Sequence, residues 1–169
     1  MMKRLLFAGV ILVLGLLQVT LVDSFKIFNV KPDLLLMIAL LASFVFDFKE
    51  ALVLSVFAGL LKDILGPGVF GMNALLFALW TLLIERIDRQ VPIDHETIRV
   101  ILIFAIIFLH HTLRGLFSVW AGRQIQPGIF LRIIFLEALY TTLIFPWVFK
   151  GVQWWFMIHE QNKERSSLS

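Results

Sequence analysis

Six apolar segments, separated by little more than short polar turns, constrain any fold this chain can adopt. They run at about 5–22, 33–48, 50–65, 70–87, 97–115 and 129–149. A bilayer-spanning helix needs about 20 mostly apolar residues, so six would use roughly 120 and leave no sizeable soluble domain. The chain is 60% hydrophobic and only 16% charged, with a mean hydropathy of +0.92. Soluble domains are nearer 45–50% apolar and about 25% charged, and a domain of 169 residues has too little interior to hide the excess. Strands are the rival way to cross a membrane, but a barrel needs alternating segments of about ten residues. Runs such as VILIFAIIFL (100–109) do not alternate. Only helices and closed barrels satisfy the backbone in lipid. The expected fold is therefore all-α: a polytopic membrane protein built as a compact bundle of about six transmembrane helices. Several strictly apolar cores are short, which points to tilted or broken helices.

The expected organisation is one transmembrane domain over 1–158 and a short polar cytoplasmic tail over 159–169. The first apolar run, Leu5 to Val22, follows Lys3 and Arg4. It is longer than a signal-peptide core of about 7–15 residues, and Asp23-Ser24-Phe25 is no small-x-small cleavage site, so it reads as an uncleaved span. With the N-terminus inside, Lys3, Arg4, Lys49, Arg86, Arg89, Arg99, Lys150, Lys163 and Arg165 fall inside; Lys26, Lys31, Lys62, Arg114, Arg123 and Arg132 fall outside. Nine against six is the bias expected of a cytoplasmic N- and C-terminus. Asp94, in the polar loop 85–99, is placed to cap the fifth helix. Trp147, Trp154 and Trp155 suit a membrane-interface belt, with 150–158 along the surface. The pI near 9.5 does not imply nucleic acid, because the basic residues are dispersed and basic cytoplasmic loops account for it. There is no cysteine, which excludes disulfides, thiolate nucleophiles and Cys-ligated zinc.

Charges in hydrocarbon cost several kcal/mol, so polar residues at membrane depth are the candidate sites. Pro32-Asp33 opens the second segment, where proline tolerates a first-turn position and an acid complements the positive helix end. This is either an ordinary helix start or a partner or ligand contact. The stretch GLLKDILGPGVFGMNAL (59–75) is the most informative. Gly59, Asp63 and Gly66 share a face, where small residues permit close helix approach. Asp63 is expected to bond backbone groups freed by the Gly66-Pro67-Gly68 break, or to pair with Lys62 or a base on another span. Pinning of a re-entrant turn is the main reading; a ligand site or a partner contact are the others. Asn73, just after Gly71, fits a cap of the fourth helix. His110, His111 and Arg114 read as an outer-surface polar cap, since adjacent histidines point about 100° apart and make a poor metal pair. Glu137, beside Tyr140 and Thr141 and five residues from Arg132, must find a partner on another helix. There is no GxSxG, no Walker motif and no HExxH, so no enzyme, metal or cofactor is expected.

The basic start, Val30-Lys31-Pro32-Asp33 with its leucine run, Gly59, Asp63, the Gly-Pro-Gly break, and Gly71 with Asn73-Ala74-Leu75 together resemble the MreD family of bacterial rod-shape-determining membrane proteins. The specific motifs lie in 30–77; the rest matches as hydropathy and topology. The resemblance implies a non-enzymatic scaffold in the bacterial cytoplasmic (inner) membrane. It implies a fold similar to the six-helix substrate-binding subunits of energy-coupling vitamin transporters. Its implied partners are MreC, a single-span protein, and, directly or through it, actin-like MreB and RodA-type wall-synthesis enzymes. The rival expectation is a vitamin-binding transporter subunit, which would need a pocket with convergent polar groups such as Asp63, Asn73, Glu137, Tyr140 and His110.

Overall fold

The computed structural model describes residues 2–20, 32–66, 69–90, 95–122 and 127–167. Lys31, the Pro67-Gly68 pair, Asp94 and Arg123 lie outside these residues. Among these residues six helices follow one another: α1 (Met2–Thr20), α2 (Leu34–Val45), α3 (Phe48–Leu65), α4 (Met72–Asp88), α5 (Glu96–Trp120) and α6 (Pro127–Ser167). No strand occurs among the described residues.

The central element is the shortest. α2 has 12 residues, about 18 Å of helix, and Leu35 through Ala42 are all buried. A helix apolar on every side belongs in the interior, and α2 touches α1, α3, α4 and α6. It stops at Phe46, in extended conformation, and Asp47 starts α3, so a two-residue corner replaces the expected run to residue 48. α3 and α4 form the most extensive helix pair, and α5 pairs with α6. Gly59 makes the first pair close: a Cβ there would lie 2.6 Å from the Ala74 backbone nitrogen and 2.8 Å from the Asn73 carbonyl carbon. α3 and α4 are also laced by hydroxyls, Thr81 to Ser55 at 2.8 Å, with Ser43 of α2 reaching Thr81 at 3.2 Å.

α5 and α6 run beyond the expected segments. α5 continues to Trp120, and α6 is helical from 127 to 167, so the surface segment and most of the tail continue the same helix. Two stretches, Thr97–Trp120 and Phe130–Val152, are long and apolar enough to cross a membrane. Only 33% and 28% of those windows are buried, whereas a soluble protein's core helix would be mostly buried. Val53, Leu75, Leu143 and Trp147 are all more than half exposed. Apolar surface on this scale calls for lipid or protein to cover it.

Gly59→Ala is expected to destabilise the protein by about 1–3 kcal/mol through overpacking against α4. Gly9→Ala, where an added Cβ meets nothing within 4 Å, is expected to be neutral. Thermal melts of the two variants in mild detergent separate these outcomes.

Candidate functional site

A helix that begins inside a bundle must satisfy its first backbone N–H groups without water. α2 draws on three sources. Its N-cap, Asp33, accepts from the Leu36 N–H through Oδ1 at 3.1 Å. Gln18 of α1 accepts from the Leu35 N–H at 3.0 Å, and Thr141 of α6 accepts from the Asp33 N–H at 3.1 Å. Asp33 is fully buried and Pro32 before it is buried too. A lone carboxylate there would carry a large desolvation penalty, and the α2 N-terminal dipole offsets only part of it. Lys62 of α3, itself 7% exposed, supplies the counter-charge by donating to Asp33 Oδ2. The lysine also lies 5.4 Å from the Phe77 ring centroid on α4.

α5 closes the cluster. His111 stands between two carboxylates, Nε2 at 3.7 Å from Asp33 Oδ2 and Nδ1 at 3.5 Å from Glu137 Oε2. Its neighbour His110 accepts from the Trp80 indole N–H through Nδ1 at 3.2 Å, and its ring centroid lies 5.1 Å from that of His111. Arg114, one turn on, acts electrostatically on Lys62 and both histidines. Five helices therefore meet at one buried polar centre.

Possible ligand atoms of Asp33, His110 and His111 lie within 4.8 Å of one another, which raises the question of a metal. The hydrogen-bond chemistry argues against one. An indole N–H only donates, so neutral His110 has its lone pair on Nδ1 and its proton on Nε2. That leaves Asp33 and His111 as ligands, and the ammonium of Lys62 already occupies Asp33. A zinc site takes at least three protein ligands, and this trio supplies two.

Asp63 has a separate task. Its carboxylate accepts from the backbone N–H groups of Gly71 (3.0 Å), Asn73 (3.1 Å) and Ala74 (3.2 Å), and from the Asn73 amide (2.7 Å). It thus caps α4 from the last turn of α3. Gly71 turns the chain into α4 at φ +88°, a conformation suited to glycine. The Gly66 N–H closes α3 on the Lys62 carbonyl at 2.9 Å.

The adjacent Lys62 and Asp63 therefore serve different centres, and Asp63 pairs with neither Lys62 nor another base among its described contacts. Asn73 lies inside α4 and helps hold Asp63; the α4 cap position belongs to Gly71. The reading of His110 and His111 as an outer-surface cap is corrected: they are 0% and 6% exposed and face the bundle centre. The signal was present in the spacing. Ile103, Ile106, Ile107, His110 and His111 repeat at i, i+3, i+4, i+7 and i+8, one continuous buried face. The parts of Trp80 and Thr141 carried no such signal, because only the fold brings them to Asp33 and His110.

The geometry defines an all-helical membrane protein whose polar residues at depth hold helices to one another. The family model described as rod shape-determining protein MreD matches residues 2–154. The chain belongs to the MreD family, and with it to the machinery of rod-shape determination, whose MreD component is a structural membrane protein. No curated protein and no solved structure matches the chain.

Asp63→Ala, which strips four acceptor contacts from the start of α4, is expected to cost about 2 kcal/mol or more. Asp63→Asn, which keeps one acceptor oxygen, should lose less. A detergent unfolding curve for Asp63→Ala that overlays the wild type would show that α4 does not depend on this cap.

Proposed function

We propose that this chain is a non-enzymatic scaffold subunit of the cell-wall elongation complex, with six spans in the bacterial inner membrane and both termini in the cytoplasm. It binds an MreC-type single-span protein and, directly or through it, links MreB to lateral peptidoglycan synthesis by RodA-type enzymes. The MreD family match over 2–154 is the observation that carries this reading. The disposition of polar groups supports it. Asp33, Lys62, Asp63 and Glu137 face partners within the chain, which suits a rigid helical platform better than a binding pocket. The nine-to-six bias of Lys and Arg supports the orientation.

In this topology the polar centre lies in the outer half of the membrane. Lys62 and His110 each sit 14 residues from the inner ends of their helices, about 21 Å along the axis. Lipid then covers the apolar outer faces, and the partner's span packs onto one of them by shape and hydrogen bonding.

Two measurements test the proposal. Mild purification of the tagged protein from its native membrane should recover an MreC-type protein in stoichiometric amount, with wall-synthesis enzymes at lower levels. Recovery of ATPase subunits or a bound vitamin would replace the scaffold with a transporter. The chain has no cysteine of its own, so single substitutions report topology directly. In cells with a permeabilised outer membrane, an impermeant maleimide should label Ala121→Cys and spare Gln90→Cys. The reverse pattern would invert the orientation.

A further inference from the structure

Two aspartates stand at helix starts, and they behave differently. Asp33 caps α2 with its carboxylate, whereas Asp47, at the N-cap of α3, makes no side-chain cap bond. Asp47 instead lines an open pocket of about 670 Å³ between the start of α3 and the end of α4. Lys49, Glu50 and Arg89 are the other charged residues around it. Among the described residues Asp47 and Lys49 form no ion pair and are exposed. Arg89 meets Glu85 through Nε at 3.0 Å and Nη2 at 2.9 Å. A guanidinium has five N–H donors, so part of its fork remains for a second acceptor.

The pocket sits at one end of the bundle. α2 stops at Val45, α3 begins at Phe48 and α4 ends at Asp88, so helices that span a bilayer hold this pocket at headgroup level. Its apolar wall continues inward through Val53 and Leu54. Val53 is 68% exposed and lies one turn, about 6 Å, deeper than Lys49. Acyl chains would cover that surface. Two cations and two anions around one pocket do not select an ion of either sign. They complement a zwitterion, whose phosphate lies against Lys49 and Arg89 and whose ammonium lies against Asp47. A primary ammonium has three N–H donors for a carboxylate; the trimethylated ammonium of choline has none.

We propose that this pocket binds the headgroup of a phosphatidylethanolamine, with its glycerol and acyl chains running down over Val53 and Leu54. The site rests on the reading of the helices as spans and on no choice of side, since it needs only a headgroup layer at this end of the bundle.

The test uses the full chain in bilayer discs of equal parts phosphatidylethanolamine, phosphatidylglycerol and phosphatidylcholine. The protein is released into mild detergent and weighed intact, with its retained lipid, by native mass spectrometry. Phosphatidylethanolamine should be retained about 2- to 5-fold over each of the others, the range of an exposed ion pair. Asp47→Asn, which removes the charge facing the ammonium, should abolish the preference over phosphatidylcholine. Lys49→Gln should lower retention of both lipids. Arg86→Gln, on the last turn of α4 and outside the pocket lining, should leave the wild-type pattern. Equal retention of the three lipids would overturn the proposal, as would tighter retention of phosphatidylglycerol. An Asp47→Asn variant with the wild-type preference would also overturn it, and so would an Arg86→Gln variant that loses it. Any of these results from a chain that enters the discs leaves the spanning reading standing. A chain that stays soluble with neither disc nor detergent would remove both.

Discussion

A carboxylate and an ammonium buried against each other at the heart of a hydrophobic bundle leave the surrounding helices few ways to pack. Asp33 caps α2, Lys62 ends its run on α3, and each neutralises a charge that the other's environment would not tolerate alone. Buried pairs of this kind are weak evidence for net stability, since well-packed apolar residues often do as well. The effect expected of this pair is on specificity. With Asp33 in place, α3 must present Lys62 to α2, α6 must bring Thr141 to the Asp33 N–H, and α5 must turn its histidines inward. A register slip of one residue on any of these helices would strand a charge or an N–H in an apolar interior.

This explains why the shortest helix is the central one. Twelve residues cannot by themselves span about 30 Å of hydrocarbon. α2 begins inside the bundle, and Gln18, Thr141 and its own Asp33 take up N–H groups that lipid would leave unmet. The close approach at Gly59 and the Asp63 cap lock α3 to α4 beside it. The α5–α6 pair then adds the two longest apolar stretches, whose outer faces remain free for lipid or a partner.

Helix number and order were legible in the sequence because unbroken apolar runs admit no strand pattern. The Asp63 region was legible for a local reason: its partners, Gly71 to Ala74, lie only eight to eleven residues away, and the glycine-rich break announced freed backbone groups. The polar centre was not. Asp33 and Lys62 are 29 residues apart, and Asp33 and Thr141 are 108 apart, so no local spacing connects them. Lys62 invited pairing with its neighbour Asp63, yet adjacent helical residues diverge by about 100° and went to different centres. The histidines were misplaced because two polar residues near the end of an apolar run look like an interface, although the periodicity of Ile103, Ile106 and Ile107 carries them onto the buried face. Helix ends were misjudged at α2 and α6, where hydropathy changes gradually and only the corner at Phe46-Asp47, or the continuity past Pro146, decides.

The most direct test of the central ion pair is a double-mutant cycle for Lys62→Met and Asp33→Asn, read as unfolding free energy in detergent. Asparagine keeps an N-cap acceptor and methionine keeps the lysine's apolar stem, so the cycle isolates the charges. Lys62→Met alone should lose about 3–5 kcal/mol, because it strands a buried carboxylate. The double variant should recover most of that loss, giving a coupling of at least about 2 kcal/mol. Single variants whose losses simply add, with coupling near zero, would show that Asp33 and Lys62 do not hold the bundle in register through each other.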